Sequence, residues 1–307
     1  MARWKTRPEL LTSPRLARLR WLVHGFTTRH PGEFSLSYST GHPAKAVAGH
    51  RRALLRAFPS PGRKRHWQLV TLRQRHTDLI QVICQETNGA ERFPHSQGLR
   101  WREPDGAVKL VGDALITDCP GFLLSVQVAD CLPILLADPE RRVVAAVHAG
   151  WRGTAKRIAE KAVGTMRQEF GCDPQKLRAA IGPGIHVCCY EVGREVLEAF
   201  AGQFPYWQKV VRRLPPTPPD VHWQQRLFSA APTPERRPRP ALTAPAAERF
   251  YLDLVEANRR QLRAAGLRPQ NIWASPLCTA CRTDLLFSHR AEHGRTGRMM
   301  GLIGKAS

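Results

Sequence analysis

The chain has 307 residues, 42% of them hydrophobic and 23% charged, an ordinary globular balance with ample material for a core. No stretch approaches about 18 uninterrupted apolar residues, which argues against a membrane helix. The basic start MARWKTRPEL lacks the apolar stretch of a secretory signal, so the expected location is cytoplasmic. The net charge of +22 permits a polyanion partner, but the arginines and lysines are scattered and no nucleic-acid-binding motif occurs. Nucleic acid is therefore not the expected main partner, and a small anion such as phosphate is an equally good use of local positive charge.

In chain order, an Arg-rich arm over residues 1–20 leads to a first strand near residues 21–27. Residues 45–58, KAVAGHRRALLRAF, set Val47, Leu54 and Leu55 on one side and predict an amphipathic helix. Residues 67–83 predict two strands around a turn at His76 to Asp78, and the polar stretch 86–106 reads as a surface loop. GFLLSVQVAD, residues 121–130, is the near-continuous apolar run of a buried strand. Two further runs follow, CLPILLAD and RRVVAAVHAG, with Asp138, Pro139 and Glu140 between them as a favourable turn. Past the break at Gly150 to Gly153, residues 154–170 predict a helix with Thr154 as N-cap and Gly171 just beyond its end. Residues 205–247 are rich in proline and arginine and read as a surface insertion. A helix over 248–265, stopped by Gly266, precedes a tail of strands interrupted by HRAEHGRTGR. The expectation is one domain spanning residues 1–307.

The chemistry concentrates in the central hairpin. Turning symmetrically between Pro139 and Glu140, it would place Cys131 opposite His148. Directly paired residues have Cβ atoms about 4.5–5.5 Å apart on one face, a distance that suits two ligands of one metal or a Cys–His dyad. A buried Cys beside a core His satisfies the same pattern. The eight cysteines do not form a disulfide framework, and the isolated pair Cys278 and Cys281 reads as structural or pocket-lining. Asp130 precedes Cys131 and so faces the other way, which suits an orienting or folding role.

The segments ADCLPILLADPERRVVAAVHAGWRGT and AAIGPGIHVCCYEVGREV strongly resemble the YfiH-like laccase-domain family, once called multicopper polyphenol oxidase and now described as zinc-containing purine nucleoside phosphorylase. The similarity runs from HGFTTR at His24 to Gly297 and Arg298. It implies an α+β fold, a mixed β-sheet sandwich with helices packed outside. It also implies metal ligands at His76, Cys131 and His148, which double as the catalytic residues, with zinc as the metal and copper as the alternative. Three N and S ligands leave a position open, as catalytic zinc sites do. The implied reaction is phosphorolysis of adenosine, inosine or methylthioadenosine, with adenosine deamination as a side activity. Arg29, Arg152 and Arg290 are the expected phosphate contacts, Arg152 because it precedes a helix N-terminus. Tyr190 and Glu191 are expected to line the nucleoside pocket, whereas His186 and His289 read as structural. Two other readings stand beside this one: a Cys131–His148 cysteine hydrolase linked to peptidoglycan editing, and a copper-dependent polyphenol oxidase. The motifs depart from the family pattern at Arg75 and Thr77, at His289, and in the stretch HPGEFSLSYSTG.

Overall fold

The computed structural model describes residues 8–61, 66–85, 91–92, 100–214 and 249–306. Residues up to His186 and from Leu254 onward form one compact unit, and Val187–Asp253 form a second.

The first unit holds two seven-stranded sheets. One runs in the order Leu10–Leu11, Leu22–Thr27, Met299–Lys305, Phe122–Val128, Gln68–Arg73, Val108–Val111 and Arg100–Arg102. The other runs Ile272–Ala274, Arg178–Ile181, Leu132–Ala137, Val144–Ala149, Ala114–Thr117, Ile80–Gln85 and Glu91–Arg92. Parallel and antiparallel pairings mix in both. Alternate side chains point to opposite faces of a strand, so neighbours divide between two cores. Leu124, Val126 and Ile303 join Leu115, Leu135 and Val144 of the other sheet in the inner core. Leu123 and Leu302 turn outward onto Phe34, Leu36 and Leu54. Leu54 belongs to the helix Ala44–Ala57, which covers that outer face. Helices Ile158–Phe170 and Leu254–Ala264 pack together, and the former also contacts the strands of the second sheet. The architecture is the α+β sandwich with helices outside.

Three chain crossings between the sheets occur at one end of this sandwich. Gln68–Arg73 lies parallel to both Val108–Val111 and Phe122–Val128, so all three strands end on the same side. From each, the chain passes to the second sheet: through residues 74–79, through Gly112 and Asp113, and through residues 129–131.

The elements differ from expectation where a long-range contact outweighs local signals. The helix expected from Thr154 begins at Trp151, breaks at Arg157 in a left-handed conformation, and resumes at Ile158. Thr154 is buried and takes a hydrogen bond from Asn258 instead of capping. Gly171 closes the helix as expected, with φ +64°. Within the supposed loop 86–106, residues 100–102 form an edge strand, and residues 86–90 and 93–99 lie outside the described residues. Leu16 and Leu19 of the Arg-rich start are buried in the inner core, so its second half packs. Residues 249–252 are strand, not helix. That strand joins Glu191–Val192 and Val211–Leu214 in the small sheet of the second unit, beside helices Arg194–Gln203 and Trp207–Val210. The first ten residues of the expected insertion are thus largely ordered, and residues 215–248 lie outside the described residues.

His24 illustrates the cost of burying a titratable group. It lies within the strand Leu22–Thr27, and its Nε2 accepts the Ser13 N–H at 2.9 Å. Burial outweighs that bond and lowers its pKa from 6.5 to about 4. Between those values the unfolded chain binds the proton and the folded chain does not, so stability falls as pH drops through this window. Denaturant titrations at pH 7 and pH 4.5 should show His24→Gln losing less stability than the parent, by roughly 2–3 kcal/mol. Equal losses would show that His24 titrates normally.

Candidate metal centre

Two of the three crossings meet at one carboxylate. Asp113 is fully buried on the crossing between Val108–Val111 of one sheet and Ala114–Thr117 of the other. Its Oδ1 accepts the His76 N–H at 3.0 Å and lies 2.8 Å from His148 Nδ1. Its Oδ2 accepts the N–H groups of Arg75 at 3.2 Å and Thr77 at 2.8 Å, and the Thr77 hydroxyl at 2.7 Å. This clamp closes the turn and holds His76 at φ +57°, a conformation costly for a residue with a Cβ. A carboxylate only accepts, so Nδ1 of His148 carries the proton and Nε2 is left for a ligand. The rings of His76 and His148 meet edge to face with centroids 4.9 Å apart.

Cys131 reaches the same point from the third crossing, but not by the expected pairing. Leu132 pairs with Ala149 and Pro133 with His148, a register two residues longer than a tight turn at Pro139 and Glu140 would give. The reason is the turn. Asp138 Oδ1 accepts the N–H groups of Glu140 and Arg141, Arg142 adopts φ +54°, and Asp138 bonds to Val143 instead of Arg141. A shift of two preserves the face, so Cys131 and His148 become diagonal neighbours on one side. The residue across from Cys131 is Gly150. A Cβ there would stand 2.8 Å from the Cys131 sulfur and 3.1 Å from His76 Cδ2, so the glycine makes room for both.

The ligand atoms of His76, Cys131 and His148 all lie within 4.8 Å of one another. His148 is buried, Cys131 half-buried and His76 exposed, which leaves the cluster open on the His76 side. Burial opposes the charged form of each group, yet the mutual contacts prevail. Cys131 is lowered from the usual thiol range by His148 and His76, and His148 is raised by Cys131 and Asp113. Asp113 is held at about 2, because the His148 and Thr77 bonds overcome its burial. A thiolate beside two imidazoles, one braced by a carboxylate, suits either a borderline-soft metal or a thiol nucleophile.

The remaining expected residues occupy varied settings. Asp130, at φ +88°, accepts the hydroxyls of Thr279 at 2.6 Å and Ser288 at 2.8 Å and the Arg290 N–H at 2.6 Å. It thereby fastens the C-terminal segment to the Cys131 turn. Arg29 lies over the Phe287 ring and is paired with Glu33 and Glu292. The exposed Arg152 stacks on Trp151 at 4.2 Å. His186 donates its backbone N–H to Cys278 Sγ, and His289 is exposed. In the second unit, Glu191 accepts the Tyr251 hydroxyl and the Tyr190 carbonyl accepts the Leu252 N–H. Sequence reading missed Asp113 and Gly150. Asp113 carries no motif beyond lying between two strands, whereas Gly150 ends the HAG run and was read only as a chain break.

Residues 23–306 match the family described as multi-copper polyphenol oxidoreductase laccase. The chain is 34% identical over 294 residues to the purine nucleoside phosphorylase YlmD of Geobacillus stearothermophilus, covering 92% of this chain and 90% of that protein. It is 35% identical over 231 residues to the adenosine deaminase RL5 of an unknown prokaryotic organism, covering 75% and 72%. The crystal structure of Bacillus licheniformis hypothetical protein YfiH superposes with a TM-score of 0.73 at 27% identity, covering 99% of this chain and 98% of that one.

Replacing Asp113 by Asn places an amide among donors that expect an anion. Chelator competition should show metal affinity falling about 10–100-fold. Denaturation should show a loss of at least about 2 kcal/mol, since hydrogen bonds to a charged acceptor weaken together. Unchanged metal affinity in a folded Asp113→Asn protein would show that the clamp does not position His148.

Proposed function

The chain belongs to the multi-copper polyphenol oxidoreductase laccase family, and from that membership we propose that it is a zinc-dependent purine nucleoside phosphorylase with adenosine deaminase activity. Its substrates on this reading are phosphate and a purine nucleoside, namely adenosine, inosine or methylthioadenosine. The observation that carries the proposal is the convergence of His76, Cys131 and His148 within 4.8 Å, open on one side. The names of the relatives support the substrate class.

The donor set favours zinc. One thiolate and two imidazoles are ligand types that zinc takes, and three of them keep a fourth position for substrate or water. The lowered Cys131 thiol is already biased to the ligating form, and Asp113 fixes the His148 tautomer that ligates through Nε2. Bound zinc would act as a Lewis acid toward the substrate. The chain itself orients: Asp113 sets both histidines, Gly150 leaves space for the sulfur, and Asp130 pins the segment carrying Arg290. Phosphorolysis further needs an oxyanion held near the ribose and a proton for the departing purine. Among the described residues no helix is long and apolar enough to cross a membrane, and we place the enzyme in the cytoplasm.

One observation favours a second reading. Asp113, His148 and Cys131 follow the base-orienting logic of a thiol hydrolase, with the thiol lowered and the imidazole raised. Such an enzyme needs no metal.

Cys131→Ala separates the two. Cys131 is half-buried and is not part of the inner core, so the variant should stay folded while losing most of its zinc, because two imidazoles bind zinc weakly at neutral pH. Phosphate-dependent release of hypoxanthine from inosine and ammonia release from adenosine should fall together, by about 100-fold or more. Full zinc and full activity in Cys131→Ala would remove it from the ligand set. Activity that survives chelation but not alkylation would favour the thiol hydrolase.

A further inference from the structure

A polar cavity of about 480 Å³ lies between residues 33–42 and residues 294–298 of the first unit. That volume is within the range of small-molecule sites. Its walls carry Arg295, Arg298, Ser39, Thr40, Thr296 and His42. They are tied together by hydrogen bonds. The Arg298 N–H donates to Ser35 Oγ at 3.2 Å, Ser35 Oγ meets Thr40 Oγ1 at 3.1 Å, and Thr40 Oγ1 meets His42 Nδ1 at 3.0 Å. The cavity's one acidic wall residue, Glu33, is engaged by Arg29.

Arg298 is the unusual member. Its Nη1 donates to the carbonyls of Thr296 at 3.0 Å and Gly297 at 2.8 Å, which fixes the guanidinium plane. A guanidinium has five N–H donors, so the Nε and Nη2 edge keeps donors to spend. Arg298 is half-buried, and among the described residues no carboxylate forms an ion pair with it. Arg29 and Arg51, by contrast, each have two carboxylate partners. A half-buried cation without a paired anion favours an anionic ligand. Its position links it to the metal centre. Met299 pairs with Val128, so the ladder carried one step further sets Arg298 against Ala129, two residues from Cys131. Burial lowers the Arg298 pKa, while the nearby Cys131 and Asp130 raise it.

We propose that this cavity is an oxyanion subsite that binds inorganic phosphate, with Arg298 as its anchoring cation and Arg295 and the Ser39 hydroxyl completing it; the Thr40 and Thr296 hydroxyls shape the wall, since they donate to the Ser37 carbonyl and to Glu292. The assignment rests on the phosphorylase reading, for which it names the residues that bind the second substrate. It directs that role to an arginine other than Arg29, whose charge is already matched, and Arg152, which stacks on Trp151.

The test is calorimetric titration of the zinc-loaded full chain with inorganic phosphate, together with the KM for phosphate in inosine phosphorolysis. Arg298→Gln should weaken phosphate binding and raise that KM at least tenfold, and Arg295→Gln at least threefold. If Arg298→Gln fails to fold, Arg298→Lys keeps a charge but not the fork, and should still weaken phosphate at least threefold. Phosphate binding at parent strength in the Arg298 and Arg295 variants overturns the subsite. So does a tenfold loss in Arg152→Gln with Arg298→Gln unaffected. Failure of the two ideas is distinguishable. Arg298-dependent phosphate binding in a protein that phosphorolyses no nucleoside keeps the subsite and removes the function. Phosphorolysis with an unchanged phosphate KM in these variants keeps the function and removes the subsite.

Discussion

Asp113 must stay ionised in a place that water does not reach, and the surroundings are arranged around that demand. Burying a carboxylate is costly unless its lone pairs are satisfied. Here five donors meet it: three backbone N–H groups, the Thr77 hydroxyl and His148 Nδ1. Each donor belongs to a segment that carries, or adjoins, a candidate ligand. Satisfying the charge and orienting the two histidines are therefore one act. The backbone contributes as well, since the Asp113 carbonyl accepts the His148 N–H at 2.7 Å.

The sandwich explains why this happens at one end only. Parallel alignment of Gln68–Arg73 with its two neighbours brings three strand ends together, and each chain then crosses to the other sheet. Side chains on such crossings face one another without belonging to either core. His76 and Cys131 lie on two of them, and the third supplies the carboxylate. Asp130 extends the arrangement to the C-terminal segment, through Thr279, Ser288 and Arg290. The oxyanion cavity adjoins the same end because Arg298 directly precedes Met299, whose partner Val128 ends the strand leading to Cys131.

Much of this was legible from pattern. Apolar runs mark the strands Phe122–Val128, Leu132–Ala137 and Val144–Ala149, and parity alone sets Cys131 and His148 on one face. Parity survives a register shift of two, which is why the two residues meet although the turn was read too tight. The turn itself was hidden in Arg142, a residue with no intrinsic taste for the left-handed region. Asp113 and Arg298 were illegible for a different reason. Their roles depend on partners 35 or more residues away, such as the Asp113 contact to His148, and no local periodicity encodes those. Thr154 shows the converse: a good cap by composition, it is recruited into the interior by Asn258.

The central claim is that one thiolate and two imidazoles hold a zinc ion. X-ray absorption at the zinc edge of the purified protein tests it most directly. The account predicts one sulfur at about 2.3 Å, two imidazole nitrogens at about 2.0–2.1 Å and one further light atom, with the sulfur shell vanishing in Cys131→Ala. A zinc-free protein, a copper centre, or a shell made of sulfur alone would contradict it.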